Sequence, residues 1–204
     1  MNRKEIYNKI CGKMNKAGLD VDYNIIIEKN TIYLLFAGTS TLQDLIVDFD
    51  FPSNVYKNQE NYMKAHRGFA KAWKSARDEI MAKLVSIVLT HKDRKLVIAG
   101  HSLGGAMAIF AAEDYYFKTG NKCDELITYG CPKVLADSKS VSYVASCCSS
   151  INQYIMNSDP IPRLPPFGYK HLKRDYCGEK FNIFKMLFTP LKYHLGYGKI
   201  DYNF

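Results

Sequence analysis

The stretch "KLVIAGHSLGGAMAIF" (residues 95–110) joins an apolar run to a glycine-rich turn that leads into a second apolar run. The first run predicts a buried strand, and residues 103–118 predict a helix. Ser102 lies on the turn between them, with Gly100 two residues before it and Gly104 two residues after it. A sharp strand-to-helix turn brings the two backbones almost into contact, so small residues are needed at those two positions. The pattern predicts that Ser102 is a nucleophile on a strained turn, and the alternative is a tight turn with an idle serine.

Strands and helices on both sides of this stretch predict an α/β fold. Strands are predicted at 21–38 (two, around a turn at Lys29 and Asn30), 125–130 and 151–157, and helices at 40–49, 68–91 and 136–150. Alternation of this kind indicates a mostly parallel central sheet flanked by helices. An amphipathic helix is predicted at the N-terminus from Ile6, Ile10 and Met14, and a loop at 52–64. No repeat or linker divides the chain, so residues 1–204 are expected to form a single domain.

A serine nucleophile needs a base and a carboxylate that orients the base. In parallel sheets the ligand site lies beyond the carboxyl ends of the strands, which is where Asp159 follows the predicted strand 151–157. His194 lies far enough beyond Asp159 for a loop to return over the sheet. Asp137 and His171 are the alternative carboxylate and base.

The serine chemistry also needs hydrogen-bond donors for the negatively charged oxygen that forms on the substrate. We expect the backbone N–H of Leu103, which follows the nucleophile, to be one donor, and Thr39 in "FAGTS" to supply the second. Gly38 allows a close approach there, although a simple strand-end turn would have the same sequence. His101 adjoins Ser102 in sequence, but the turn should direct its side chain away, so we interpret it as a packing or hydrogen-bonding histidine.

Charge and cysteine content narrow the classes of partner and compartment. The formal net charge is +8, which suits a nucleic acid or an anionic membrane surface, or reflects a solvated basic surface. The lysines are spread along the whole chain, which weighs against nucleic acid, and the densest mixture of basic and aromatic residues is 167–204. Peripheral contact with a lipid droplet or an anionic membrane therefore stays open as a hypothesis.

No apolar run approaches the roughly 20 residues that span a bilayer, and the N-terminus has no apolar core of a signal peptide. The six cysteines lack zinc-type spacing, so reduced thiols and no metal site are expected. We expect a protein of the cytoplasm or of the periphery of intracellular membranes.

Six segments in a fixed order make a family resemblance specific. They are "FAGTSTLQDLIVDF", "AHRGFAKAW", "IAGHSLGGAMA", "TYGCPKV", "NSDPIPRLPP" and "YHLGY", and they span residues 33 to about 197. The chain thereby resembles the class 3 lipases, the fungal-lipase-like branch of the α/β-hydrolases. The resemblance implies the α/β-hydrolase fold, an ester substrate such as an acylglycerol or phospholipid, and no cofactor. It also implies Ser102, Asp159 and His194 as the catalytic triad, with Thr39 and Leu103 as oxyanion donors.

In that family the helix after the oxyanion loop is a lid over the acyl groove. Here the lid would be 40–49, with one apolar face formed by Leu42, Leu45, Ile46 and Phe49, unless this helix is fixed on the core. Two positions depart from the family pattern, since Ala37 replaces a common arginine and Leu45 a common tryptophan. The same residues would serve an acyltransferase, in which an alcohol replaces water. A non-catalytic lipid-binding module on a lipase scaffold is a further alternative.

Overall fold

The computed structural model describes residues 1–19, 21–38, 53–58 and 61–202. The helices are α1 (Arg3–Ile10), α2 (Arg67–Thr90), α3 (Leu103–Thr119), α4 (Ser138–Ser146), α5 (Ile183–Phe188) and α6 (Pro190–His194). The strands are β1 (Asn15–Ala17), β2 (Val21–Glu28), β3 (Thr31–Phe36), β4 (Ser53–Asn58), β5 (Asn61–His66), β6 (Lys95–His101), β7 (Glu125–Tyr129), β8 (Ile151–Met156) and β9 (Asp175–Cys177). Short 3-10 helices span Ile161–Arg163 and Gly196–Lys199.

Within the described residues, seven strands form one sheet in the order β1-β2-β3-β6-β7-β8-β9. In this sheet, β1–β2 and β2–β3 pair antiparallel, whereas β3–β6, β6–β7, β7–β8 and β8–β9 pair parallel. The predicted mostly parallel sheet is therefore confirmed. Because parallel neighbours end on the same side, the residues that follow β3, β6, β7 and β8 meet at one edge of the sheet.

Apolar side chains alternate between two cores, one on each face of the sheet. On β6, Leu96 and Ile98 join a core with helices α2, α3 and α4, whereas Val97 and Ala99 join a second core with α1. A strand that is buried on both faces reads as a continuous apolar run, which is what residues 96–100 contain.

The predicted loop at 52–64 is wrong, because β4 and β5 form an antiparallel hairpin there. The sequence looks polar, yet Tyr56, Met63 and Ala65 are buried against the core. The hydroxyl of Tyr56 donates a hydrogen bond of 2.6 Å to Asp114, which satisfies its polar end inside the protein. The buried side of this strand pair thus finds its polar partner on a distant helix, which the local sequence does not reveal.

Other predicted elements agree in kind and differ at their ends. The N-terminal helix ends at Ile10, so Met14 lies beyond it. Helix α4 begins cleanly at Ser138, because the Asp137 carboxylate accepts the N–H of Ser140 at 2.7 Å as an N-cap. The predicted helix 40–49 lies outside the described residues. Among the residues that are described, no helix combines the length and apolar character needed to cross a membrane.

Candidate active site

Ser102 occupies a strained turn between β6 and α3. Its backbone has φ 55° and ψ −125°, a region that residues with a side chain rarely adopt. The N–H of Ser102 donates to the carbonyl of Tyr129 on the neighbouring strand at 2.9 Å, and the residue is buried. The predicted strand-turn-helix geometry around Ser102 is therefore confirmed.

Two glycines make this turn sterically possible. A Cβ on Gly100 would lie 2.0 Å from the carbonyl oxygen of Gly104. A Cβ on Gly104 would lie 2.4 Å from the carbonyl oxygen of Phe36, on strand β3. Real Cβ atoms do not approach this closely, so helix α3 can begin directly against β3 and β6 only because both positions are glycine.

Asp159 and His194 form a buried hydrogen-bonded pair. The Nδ1 atom of His194 lies 2.9 Å from Oδ2 of Asp159, and neither side chain is exposed. Asp159 follows β8, whereas His194 is the last residue of α6, which Pro190 begins at a position where a missing N–H costs nothing. The structure thus brings together the two residues that the sequence paired.

Three donors hold the Asp159 carboxylate. Besides His194, the hydroxyl of Tyr197 donates to Oδ2 at 2.8 Å, and the N–H of Ile161 donates to Oδ1 at 2.9 Å. Burial, and then the charge of Asp159, raise the pKa of Tyr197 well above its ordinary value, so its hydroxyl remains a donor. These donors replace the hydrogen bonds to water that a carboxylate loses on burial.

Tyr197 was not among the predicted site residues. Its hydroxyl also accepts the N–H of Met156 at 3.0 Å, which ties the end of β8 to the 3-10 helix after His194. The available signal was its place in "YHLGYG", three residues after His194, which brings the two onto one side of a helical turn.

The remaining nitrogen of His194 is available for proton transfer. Nε2 is buried and has no hydrogen-bond partner among the described residues. The ring lies beside residues that flank the nucleophile, since its centroid is 4.5 Å from that of His101 and a Cβ on Gly130 would lie 3.1 Å from its Cε1. Nε2 therefore makes no hydrogen bond to Ser102 in this structure, and catalytic hydrogen bonds of this kind tighten when substrate binds.

His101 packs as predicted, with its side chain directed to other groups than Ser102. Its Nε2 lies 2.8 Å from the carbonyl oxygen of His194, and Tyr7 contacts the ring edge-on at 5.3 Å. Burial, and then the neighbouring His194, lower the pKa of His101 to about 3, so it stays neutral. The neutral imidazole of His101 therefore donates its Nε2–H to the backbone carbonyl of His194.

The two alternative residues have other contacts. The Asp137 carboxylate caps helix α4. The Nε2 atom of His171 lies 2.8 Å from the carbonyl oxygen of Pro162, and burial lowers the pKa of His171 to about 4. Neither takes part in the Asp159–His194 pair.

A cavity of about 400 Å³ opens onto Ser102. It is lined by Gly38 and His101 at the sheet edge, by the charged side chains of Lys16 and Asp22, and by apolar side chains that include Ile10, Met14 and Leu195. Helix α1 and the segment after it therefore help to form the space next to the serine, a role that the sequence pattern did not reveal. A cleft that combines apolar side chains with a few polar groups is typical of a ligand site.

The predicted oxyanion donors fall partly within the described residues. Leu103 is the first residue of α3, and the first N–H groups of a helix have no acceptor within the helix. Thr39 and the predicted lid residues lie outside the described residues; these are Leu42, Leu45, Ile46 and Phe49. In the ranges that are described, no group of three or more potential ligand residues could hold a metal ion.

Several known proteins are similar to this chain in sequence and in fold. The lipase of Rhizomucor miehei is 30% identical over 153 residues, which are 72% of this chain and 42% of that protein. Secreted mono- and diacylglycerol lipase A of Penicillium cyclopium is 30% identical over 151 residues, covering 72% of this chain and 48% of that protein. This chain thus spans less than half the length of either relative.

A solved triacylglycerol lipase, in which a serine protease triad forms the catalytic centre, superposes with a TM-score of 0.71. The identity is 25%, and the match covers 82% of this chain and 66% of that chain. The sheet order and the serine turn are accordingly those of the α/β-hydrolase fold.

The family model described as "Lipase (class 3)" matches residues 33–169, about two thirds of the chain. This range contains Ser102 and Asp159 but ends before His194, whose place in the site depends on the tertiary structure. With its fold and its serine turn in agreement, the chain belongs to the class 3 lipase family.

Proposed function

We propose that this chain is a serine hydrolase that cleaves carboxylic esters of lipids. The observation that carries the proposal is the buried Asp159–His194 hydrogen bond at the sheet edge where Ser102 sits on its strained turn. Membership of a family whose relatives are named lipases supports a lipid ester as the substrate. The cavity beside Ser102 offers an acyl chain apolar contacts with Ile10, Met14 and Leu195.

In the proposed first step, His194 Nε2 takes the hydroxyl proton while Ser102 Oγ bonds to the ester carbonyl carbon. Asp159 keeps the proton on Nδ1, orients the ring and stabilises the imidazolium that forms. The carbonyl oxygen becomes negative and accepts hydrogen bonds from the N–H of Leu103 and from Thr39. A donor of this kind is typically worth about 3 kcal/mol in the transition state.

The intermediate then collapses. The bond to the alcohol oxygen breaks, the alcohol leaves with the proton of His194, and the acyl group stays on Ser102. A water molecule next gives its proton to His194 and attacks the acyl carbon, and the carboxylic acid leaves as the proton returns to Ser102 Oγ. An acyltransferase would use the same residues with an alcohol in the place of water.

The test is ester hydrolysis by the purified full chain and by Ser102→Ala, with Ser149→Ala as the matched control. Ser149 is an exposed serine, so its variant should keep full activity. We expect hydrolysis of a short p-nitrophenyl ester and labelling of Ser102 by a fluorophosphonate, both lost only in Ser102→Ala. Unchanged turnover in Ser102→Ala would refute the proposal. A panel of acylglycerol and phospholipid emulsions, with and without an alcohol acceptor, then identifies the substrate and the acceptor.

A further inference from the structure

A second cavity, of about 350 Å³, lies next to β8 and is lined by cationic residues. Three are Lys133, Arg163 and Arg174, and His171 is a fourth polar neighbour. The other lining residues are Ile155, Pro162, Pro166 and Tyr176, so the lining contains no carboxylate. Cations gathered around a cavity without a carboxylate attract an anion.

The hydrogen-bond partners of these cationic side chains do not neutralise their positive charge. Lys133 Nζ donates to the carbonyls of Pro165 and Pro166 at 2.9 and 3.2 Å, and Arg163 Nη2 donates to the carbonyl of Asn157 at 2.8 Å. These partners are neutral. Among the ion pairs within the described part of the chain, none involves any of the three.

Two further properties of the cavity favour a bound anion: repulsion between its cations and a buried histidine nitrogen without a hydrogen-bond partner among the described residues. Burial, followed by the charges of Arg174 and Arg163, lowers the pKa of Lys133, so the three cations repel one another. The Nδ1 atom of His171 is buried and has no hydrogen-bond partner among the described residues, whereas its Nε2 faces the carbonyl of Pro162. A bound anion would offset the repulsion and give this nitrogen a partner once it is protonated.

Exposed aromatic side chains border the cavity. The guanidinium of Arg163 lies 4.6 Å from the ring centroid of Phe181, which is half exposed. Phe167 follows the lining residue Pro166 and is 86% exposed, and Tyr176 of the lining is more than half exposed. Phenylalanine rings beside basic residues are found in segments that lie in the membrane interface, and tyrosine is enriched at the headgroup level.

Helix α5 extends this aromatic rim as an apolar surface. Its sequence is "IFKMLF", and none of its residues is buried. The rings of Phe184 and Phe188 stack with centroids 6.4 Å apart, and Phe188 is 77% exposed. A six-residue helix is marginal in water, and a contiguous exposed apolar patch marks an interaction surface.

We propose that the cationic cavity binds the phosphate of an anionic phospholipid, while the aromatic rim and α5 enter the membrane interface beside it. Guanidinium groups are suited to phosphate because they bind it with paired hydrogen bonds. Beside the two phenylalanines of α5 lie the exposed aliphatic side chains of Ile183 and Leu187. Aliphatic side chains favour a lipid surface over a nucleic acid, because a base stacks on aromatic rings and not on them. The biological use of this docking rests on the proposed lipid-ester activity, but its test does not.

The docking surface is continuous with the site of the proposed chemistry. Thr189 alone separates α5 from α6, and α6 ends at His194. Arg163 likewise follows Asp159 by a single short 3-10 turn. A membrane bound to this face would therefore lie against the segments that carry the histidine and its carboxylate.

The test measures binding of the full chain to vesicles in the inactive Ser102→Ala background, so hydrolysis does not alter the surface. We expect binding to phosphatidylcholine vesicles that contain phosphatidylserine, and little binding to phosphatidylcholine alone. Arg163→Gln/Arg174→Gln should weaken binding about 30-fold, since each basic residue near such a surface contributes about fivefold. Lys92→Gln/Lys95→Gln removes equal charge at the opposite end of β6 and should weaken it much less. Equal losses in the two double variants would overturn the cavity as the binding site.

The apolar part is tested in the same background. Phe184→Ser/Phe188→Ser should weaken binding at least tenfold even at high salt, whereas Leu19→Ser/Leu89→Ser, which changes equally exposed residues elsewhere, should not. Unchanged binding of the phenylalanine variant would overturn the insertion of α5. If the chain bound RNA as tightly as the vesicles or more tightly, the partner of this surface would be a nucleic acid. If it formed a dimer that the phenylalanine variant abolishes, the partner would be a second copy of the chain. Saturation by inorganic phosphate without binding to vesicles would assign the cavity to a free phosphate. Failure of the proposed hydrolase appears separately, as absence of turnover in the unmodified chain.

Discussion

The Nδ1 atom of His194 lies 2.9 Å from Oδ2 of Asp159, although the two residues are 35 positions apart in the sequence. Neither side chain is exposed. The same Oδ2 atom accepts the hydroxyl of Tyr197 at 2.8 Å. One oxygen thus joins the histidine to the tyrosine three residues later. This arrangement holds the histidine ring by a fixed partner and leaves Nε2 free for proton transfer.

Asp159→Asn should lower kcat on the order of 10⁴-fold with little change in KM, as loss of the carboxylate does in other triads. The amide has only one acceptor oxygen, so it would turn an N–H towards at least one of the present donors. Steady-state kinetics on a soluble ester measures this. Asp137→Asn is the matched control and should keep kcat, because asparagine caps helix α4 as well as aspartate does. The reverse pattern would make Asp137 the catalytic carboxylate.

Ser102→Gly should be more stable than Ser102→Ala by about 1 kcal/mol, while both are inactive. The backbone at φ 55° and ψ −125° is strained for any residue with a Cβ, at about 1–3 kcal/mol, and glycine adopts it freely. Part of this gain is offset by the larger entropy of glycine in the unfolded chain. Urea unfolding of the two variants provides the comparison. A glycine variant that is less stable than the alanine variant would show that the turn is not strained.

Gly130→Ala should reduce kcat at least tenfold. A Cβ at this position would lie 2.9 Å from Oδ2 of Asp159 and 3.1 Å from Cε1 of His194, so the pair must shift. Gly120→Ala is the control, because Gly120 also has positive φ but nothing within 4 Å of the added atom. Both variants should lose about 1–2 kcal/mol of stability through their backbone conformation. Kinetics and unfolding together separate the effects, and equal kcat in the two variants would contradict the site geometry.

Tyr197→Phe should lower kcat and leave KM nearly unchanged, which is the behaviour of a positioning residue. It removes a donor to the buried carboxylate and leaves the N–H of Met156 without its acceptor, at a cost of about 1–3 kcal/mol. Tyr202→Phe is matched, because its hydroxyl donates only to the carbonyl of Tyr197 at 2.7 Å. If Tyr202→Phe lost as much kcat as Tyr197→Phe, the effect would come from stability alone.

Stability should fall as the pH drops below about 6.5. Burial lowers the pKa of His66 and His171 to about 4, and that of His101 to about 3, whereas an unfolded histidine titrates near 6.5. Between those values the unfolded chain binds more protons than the folded one, so the free energy of unfolding rises with pH. Urea unfolding from pH 7 to pH 4 measures the slope.

His66→Gln removes one of these three titrating side chains. It should reduce that slope by about 1.4 kcal/mol per pH unit near pH 5, the value for one proton. A slope identical to that of the unmodified chain would mean that His66 is protonated in the folded state.

The elements near Ser102 could be predicted from sequence because their signals are local. Gly100 and Gly104 stand at the positions that a strand-turn-helix passage requires, and β6 reads as one apolar run because both its faces are covered. The hairpin β4–β5 escaped prediction because its sequence looks polar, whereas the contacts that bury Tyr56, such as its hydrogen bond to Asp114, come from residues far away in sequence. Propensity yields to tertiary contacts in such segments.

By itself, the sequence determined the family and the α/β class and predicted Ser102 as the nucleophile, because turn chemistry and apolar periodicity depend on neighbouring residues. It favoured Asp159 over Asp137 as the carboxylate and His194 over His171 as the base. Only the tertiary structure decided which of them meet, and it added Tyr197 and the cationic cavity around Arg163 and Arg174. The physical reason is that a hydrogen bond or a charge cluster depends on distance in space, and distant segments approach one another only when the sheet and its helices have packed.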